Sequence, residues 1–103
     1  MLKNSKILII GLSYKAGIAD LRNSINLKIF NILKKKALKV DVHDPFINKE
    51  AKIKFKALNK INNNNTYDTI LFLSKNSYFE NQFKKLNKKM NRFKIVDPFE
   101  YYV

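Results

Sequence analysis

The sequence predicts one α/β domain of three layers, with helices on both faces of a mostly parallel sheet of about five strands. Two observations predict this fold. Short continuous apolar runs at residues 6–10 and 69–73 are typical of strands that are buried on both faces of a parallel sheet. Segments whose apolar residues recur at helical spacing separate these runs along the chain. The length of 103 residues fits a single small domain.

The first half of the chain reads as strand, helix, strand. The run 6–10 is followed by a loop over residues 11–23, with Asn23 or Ser24 as the helix N-cap. A helix is predicted over residues 25–38, and its lysines at 34–36 lie in the last turn, where cations complement the helix dipole. Residues 40–43 alternate like a strand that Asp-Pro ends. This spacing makes a βαβ crossover, a connection that is right-handed in nearly all known cases.

The second half is less regular. Residues 50–61 hold either a short strand around 52–55 or one or two helical turns, and the asparagines at 62–65 form a polar loop. A strand at 69–73, a helix over 78–90 and a last strand at 93–97 complete the prediction. Strands that alternate with helices in this way are typical of a Rossmann-like domain.

The charge of the chain is strongly positive. Twenty-one Lys and Arg residues stand against 8 Asp and Glu, which gives a formal net charge of +13. This balance favours polyanionic partners, but nearly all of the excess is Lys, and Arg occurs only at Arg22 and Arg92. Since arginine is the residue that reads bases and phosphates bidentately, we expect a solvated basic surface rather than a nucleic-acid interface.

The composition excludes several kinds of site. The chain contains no Cys and one His, which excludes a disulfide scaffold, a thiolate zinc site, a cysteine nucleophile and a histidine-rich metal site within these residues. No apolar run approaches the roughly 20 residues of a membrane span, and the first residues do not read as a signal peptide. We therefore expect a soluble cytoplasmic protein with no membrane partner.

The connection between the first strand and the first helix is the prime candidate for a binding site. In parallel sheets of this kind, ligands bind beyond the carboxyl ends of the strands. Residues 11–24 are more than the usual two to six residues of such a connection, and they include Tyr14, Lys15, Asp20 and Arg22 close to a helix N-terminus. That end of a helix favours phosphate. Lys15 and Arg22 are suited to neutralising a diphosphate, and Tyr14 to lining a sugar or a base.

Each of these residues also has a purely structural interpretation. Tyr14 packs under the loop in that case, and Asp20 and Arg22 pair with each other. Outside the loop, His43 reads as an ordinary strand side chain, and Asp44 either binds a ribose hydroxyl or makes a turn with the following proline.

The loop does not contain the glycine pattern of a dinucleotide site. Gly11 and Gly17 are the only glycines of the chain, whereas the G-x-G-x-x-G fingerprint needs three of them close together. It does not match a P-loop either. A complete NAD site is therefore not expected in this domain alone.

The chain resembles the C-terminal domain of the UDP-glucose/GDP-mannose dehydrogenase family over nearly its whole length. Residues 11–15 resemble the family's Gly-Leu-Ala/Ser-Tyr/Phe-Lys, and residues 20–24 resemble its Asp-x-Arg-x-Ser. Residues 39–45 resemble its Val-x-x-Tyr-Asp-Pro strand. Residues 67–72 resemble its Tyr-Asp-Ala-Ile strand, with Phe79 at the aromatic that follows.

The resemblance implies a function. Enzymes of this family oxidise C6 of a nucleotide sugar, such as UDP-glucose or a UDP-N-acetylhexosamine, to a uronate in two NAD-dependent steps that supply polysaccharide synthesis. Their C-terminal domain contacts the UDP-sugar. The resemblance therefore implies that Tyr14, Lys15 and Asp20 bind the substrate, and that Arg22 lies towards the NAD cofactor.

The departures from the family are equally specific. The family's nucleophilic Cys, its catalytic Lys and Asn and its glycine-rich NAD domain precede the matching region, so we expect these residues alone neither to bind NAD nor to turn over substrate. Asn76 stands where many members have His, residues 97–100 replace a segment that often carries a substrate-binding cation, and residues 37–38 replace Gly-Ala. These departures suggest either a remnant gene under relaxed constraint or a domain whose companion NAD-binding and catalytic polypeptide is encoded separately. The alternative is a non-catalytic interaction domain that forms a homodimer, and a basic nucleic-acid-binding domain is the least favoured interpretation.

Overall fold

The computed structural model describes residues 2–12, 25–59, 61, 67–88 and 94–102. A short 3-10 helix at Leu2–Asn4 precedes the first strand. The strands and helices of the described residues are β1 (Lys6–Ile10), α1 (Ile25–Lys36), β2 (Lys39–His43), α2 (Lys49–Phe55), β3 (Thr69–Phe72), α3 (Ser77–Asn87) and β4 (Lys94–Val96). In the part of the chain that the structure describes, no helix is long and apolar enough to cross a membrane.

The four strands form one parallel sheet in the order β2-β1-β3-β4. The prediction of a parallel sheet is confirmed, but the described residues contain four strands rather than about five. In the register of the sheet, Ile9 lies beside Val42 on one side and Leu71 on the other. This central position explains why the first apolar run is unbroken, since β1 has a neighbour on each edge and is covered on both faces.

The helices lie on both faces of the sheet, as the three-layer prediction requires. On one face, Ile7, Ile9 and Val42 pack with residues of α1 and α2. On the other face, Leu8 and Ile10 pack with residues of α3. The crossovers from β1 to β2 and from β3 to β4 run in opposite directions across the sheet, and two crossovers of the same hand then place α1 and α3 on opposite faces.

The ambiguous middle segment is a helix. The side chain of Asn48 accepts a hydrogen bond from the backbone N of Ala51, which caps α2 at its first turn. Ala51 is buried, and Phe55, one turn later on the same helix face, meets the ring of Phe30 edge-on at 5.3 Å. This pair of core contacts favours the helical turns over the short strand. The helix ends at Lys56 in a left-handed conformation.

The predicted helix boundaries shift by a few residues. Helix α1 ends at Lys36 rather than at 38, and the backbone N of Leu38 donates to Ser5 O. Neither residue 37 nor 38 has a positive φ, so the absence of the family's glycine carries no conformational cost at this turn. Helix α3 begins at Ser77, because the side chain of Asn76 caps it by accepting from Phe79 N. The proposed N-caps Asn23 and Ser24 lie outside the described residues.

Candidate functional site at the carboxyl edge of the sheet

The carboxyl ends of β1 and β3 mark the point where the strand order reverses. The chain leaves β1 towards β2 on one side and leaves β3 towards β4 on the other, which is the arrangement that opens a ligand crevice in parallel sheets. Tyr14, Lys15, Asp20 and Arg22 lie outside the described residues. The structure instead describes where their loop begins, at residues 11–12, and where it ends, at the first turn of α1.

Gly11 joins β1 to both neighbouring strands. Its backbone N donates to His43 O at 3.1 Å, and its carbonyl accepts from Ser74 Oγ at 2.9 Å. Its φ of +81° is a left-handed conformation, and a Cβ at this position would lie 2.7 Å from Ser74 Cβ and 3.0 Å from Phe79 Cε2. The position therefore requires glycine both for its backbone conformation and for space.

Asp44 holds the next residue of the loop. Its Oδ2 accepts from the backbone N of Leu12 at 2.8 Å, and its Oδ1 accepts from the backbone N of Phe46 at 2.9 Å. The carboxylate is buried, and both of its oxygens bind the backbone of this chain. Of the two interpretations of Asp44, these contacts support the turn, and they add a link from β2 to the start of the loop that the sequence did not indicate.

His43 is buried beneath this link. Its Nδ1 lies 2.9 Å from Leu58 O, and its Nε2 lies 2.5 Å from Tyr78 Oη. Because a carbonyl only accepts, Nδ1 donates to Leu58 O, and in that tautomer Nε2 accepts from the tyrosine hydroxyl. Burial, together with the nearby charge of Asp44, raises the pKa of Tyr78. The contacts agree with the prediction that His43 is a structural strand residue, and the described residues contain no cluster of potential metal ligands.

Asn26 fixes the far end of the loop. It lies in the first turn of α1 and is only 2% exposed, and its Nδ2 donates to Leu73 O at 2.9 Å. Among the described residues, its Oδ1 has no hydrogen-bond partner. The sequence analysis did not identify Asn26. Its position in the sequence could have done so, because Asn26 lies four residues before Phe30 and is therefore a polar residue on the core face of the helix.

The segment after β4 folds back over the end of β3. The two carboxylate oxygens of Asp97 accept from the backbone N atoms of Tyr101 and Tyr102, at 2.9 and 2.8 Å. The hydroxyl of Tyr102 then donates to Ser74 O at 2.6 Å, and its ring stacks on Phe83. Asp97 therefore shapes the backbone of the segment that follows β4.

The residues at this edge do not fit a complete NAD site. Gly11 is followed by Leu12, which is buried and held by Asp44, and the chain offers one further glycine, Gly17. A dinucleotide turn needs a second glycine close behind the first, so that the pyrophosphate can approach the backbone.

Comparison with known proteins identifies the family. The model of the UDP-glucose/GDP-mannose dehydrogenase family, UDP binding domain, matches residues 8–102. Among solved structures, the chain is similar to the UDP-D-ManNAc dehydrogenase of Pyrococcus horikoshii, with 23% sequence identity and a TM-score of 0.54. That match covers 84% of this chain and 19% of the other, so the chain spans about a fifth of the length of the archaeal protein. At this identity the likeness shows the fold.

No curated protein matches the chain significantly. Because the family model spans nearly all of the sequence, the chain belongs to the UDP-glucose/GDP-mannose dehydrogenase family and corresponds to its UDP binding domain.

Proposed function

We propose that this domain binds the UDP part of a nucleotide sugar at the carboxyl edge of its sheet, through Tyr14, Lys15 and Asp20, with Arg22 directed towards the NAD side of a complete enzyme. The observation that carries the proposal is the anchoring of the loop that contains these residues. Its start is bonded to β2 and to the residues that follow β2 and β3, at the point where the strand order reverses.

Both ends of the loop are fixed at this edge. Asp44 holds Leu12 N, and Asn26 ties the first turn of α1 to Leu73 O. Lys15 follows Leu12 by three residues, which limits the separation of their Cα atoms to about 11 Å. The segment that carries the residues which the resemblance assigns to the substrate therefore begins and ends at the crevice, where a helix N-terminus also favours phosphate.

The charge of the domain suits the same ligand. A diphosphate is strongly anionic at neutral pH, and the chain carries a formal net charge of +13. A field of this sign increases the rate at which an anionic ligand arrives, although it does not select UDP among anions. Selection requires contacts to the base and the sugar.

We place the domain in an NAD-dependent UDP-sugar 6-dehydrogenase of the cytoplasm, which forms a uronate from UDP-glucose or a UDP-N-acetylhexosamine for polysaccharide synthesis. These 103 residues contain no cysteine, so the nucleophile of that reaction would come from outside them. NAD would likewise be held elsewhere, since the residues described above do not fit it.

A calorimetric titration of the protein with UDP and with UDP-N-acetylglucosamine tests the proposal. We expect both ligands to bind, and Lys15→Ala to weaken both because one phosphate contact is lost. The matched control is Lys35→Ala, which removes the same charge from the exposed last turn of α1. That turn lies at the amino ends of the strands, away from the proposed site. Equal binding by all three proteins would remove Lys15 from the site, and no binding by the unmodified protein would refute the proposal.

A second candidate function is docking to a companion polypeptide that carries the NAD-binding and catalytic parts. Ile25 and Ile32 lie two turns apart on one flank of α1 and are 58% and 53% exposed. Contiguous exposed apolar patches mark interaction sites, and these two side chains share one flank of the helix. Co-purification with the companion protein, compared between the unmodified chain and Ile32→Lys, tests this function, and light scattering distinguishes it from a homodimer.

A further inference from the structure

We propose that the ring of Phe46 is the platform on which the uracil base of UDP stacks. This inference rests on the proposed function and adds a base-binding residue to it. Among the large apolar side chains that the structure describes as exposed, Phe46 is the one aromatic residue, at 48% exposure. The ring stays half in solvent although the cores on both faces of the sheet lie close by.

The ring of Phe46 is held in place from behind. It meets the ring of Tyr78 at a centroid distance of 5.7 Å and that of Phe79 at 5.6 Å, both edge-on. Its backbone N is bonded to Asp44 Oδ1, which fixes the turn that carries it. A planar side chain supported on two sides loses little conformational entropy when it binds a ligand, which is the property of an effective stacking platform.

Phe46 also belongs to the edge at which the binding loop begins. Phe79, which contacts Phe46, is the residue whose Cε2 would lie 3.0 Å from a Cβ on Gly11. Asp44 bonds both Phe46 N and Leu12 N with its two oxygens. Two independent sets of contacts thus connect the exposed ring to the first residues of the loop.

The position of Phe46 in the topology favours a base over the other parts of the ligand. In dinucleotide-binding sheets of this topology, the pyrophosphate lies at the turn after β1 and the ribose of the same nucleotide lies at the end of β2. By analogy, a base joined to such a ribose would lie near the residues that follow β2. Phe46 follows the end of β2 by three residues. Asp44, the acidic residue that follows this strand, already binds two backbone N–H groups. Phe46, two residues later, keeps its ring exposed and accessible to a nucleoside.

The chain contains no tryptophan, so Phe46→Trp introduces a single reporter at the proposed platform. We expect uridine monophosphate to quench its fluorescence, because a base stacked on the indole does so, and ribose 5-phosphate to leave it unchanged. The matched control is Ile53→Trp on α2, where the residue it replaces is 69% exposed. Quenching at both positions, or quenching by ribose 5-phosphate, would overturn the inference.

Calorimetry separates this inference from the proposed function. If UDP binds the unmodified protein, we expect Phe46→Ala to bind it about tenfold more weakly, and Phe46→Tyr to bind it with nearly full affinity. Thermal melting of each variant checks that it is folded. Equal UDP affinity in a folded Phe46→Ala protein refutes the platform and leaves the proposed function intact. A lack of UDP binding by the unmodified protein refutes both.

Discussion

The carboxylate of Asp44 lies 2.8 Å from the backbone N of Leu12, and this contact joins the ends of two neighbouring strands at the start of the binding loop. We expect Asp44→Asn to lower the free energy of unfolding by about 1–3 kcal/mol, because a charged acceptor for two backbone N–H groups, one of them buried, is lost. Urea denaturation measures the change. The control is Glu50→Gln on the exposed surface of α2, which removes the same charge and should change stability little. Equal stability of the two variants would contradict a structural role for the carboxylate.

The hydroxyl of Tyr78 donates to a histidine nitrogen that is buried, so Tyr78→Phe should destabilise the protein at neutral pH by about 1–3 kcal/mol. The pKa of Tyr78 is raised by burial and by the charge of Asp44, so the folded protein holds this proton more tightly than the unfolded chain does. The stabilisation is complete below the ordinary tyrosine pKa of about 10 and is lost as the pH rises through the raised value.

The stability difference between the unmodified protein and Tyr78→Phe should therefore shrink at alkaline pH. Urea denaturation of both proteins at about pH 8 and about pH 11 measures it on either side of the ordinary pKa. Comparing the two proteins at each pH cancels the titration of the many lysines, which they share. A difference that stays constant between the two conditions would show that the pKa of Tyr78 is not raised in the folded protein.

Gly11→Ala is expected to cost about 2 kcal/mol or more, since a left-handed backbone is unfavourable for alanine and the added carbon would approach Ser74 Cβ to 2.7 Å. Denaturant unfolding of Gly11→Ala, of Ser74→Gly and of the double variant separates the two causes. If the steric contact matters, the double variant is more stable than the sum of the two single changes predicts. Strict additivity would mean that the contact with Ser74 contributes nothing, and it would leave the backbone conformation and the approach to Phe79 Cε2 as the causes.

Asn26 allows a comparison of two substitutions of similar size. Asn26→Asp places a carboxylate oxygen against Leu73 O in a buried position, and we expect a loss of about 3 kcal/mol or more. Asn26→Leu also removes the bond to Leu73 O, but it eliminates the Oδ1 atom, which has no partner among the described residues. The leucine variant should therefore be the more stable of the two in urea denaturation. The reverse order would mean that Oδ1 has a partner worth more than the apolar contacts of leucine.

The fold was predictable because its signals are local. The apolar run of β1, the helical spacing of α1 and the Asp-Pro turn after β2 all act within a few residues of one another. The predictions of the number of strands and of the helix ends were less accurate. Capping by Asn48 and Asn76 decided where α2 and α3 begin, and such a cap depends on a single side chain.

The contacts that hold the candidate site were not predictable, because their partners are far apart in the sequence. Asn26 bonds Leu73 O across 47 residues, and Ser74 bonds Gly11 O across 63. No pattern within one segment contains this information. The sequence left two interpretations of Asp44 open, a ribose contact and a turn with its proline neighbour. Its bond to Leu12 N could not be predicted, because that bond requires β1 and β2 to be adjacent. The proposed roles of Tyr14, Lys15, Asp20 and Arg22 remain predictions.

The central place of β1 has a consequence during protein synthesis. Within this domain, β1 is synthesised before the other strands that the structure describes, yet its partner on one side ends at Phe72. At a translation rate of about 5–20 residues per second, about 3 to 12 s pass between the appearance of Ile10 and that of Phe72. During that interval one edge of an apolar strand is unpaired, so the nascent chain is most exposed to aggregation and to chaperone binding before its second half is made.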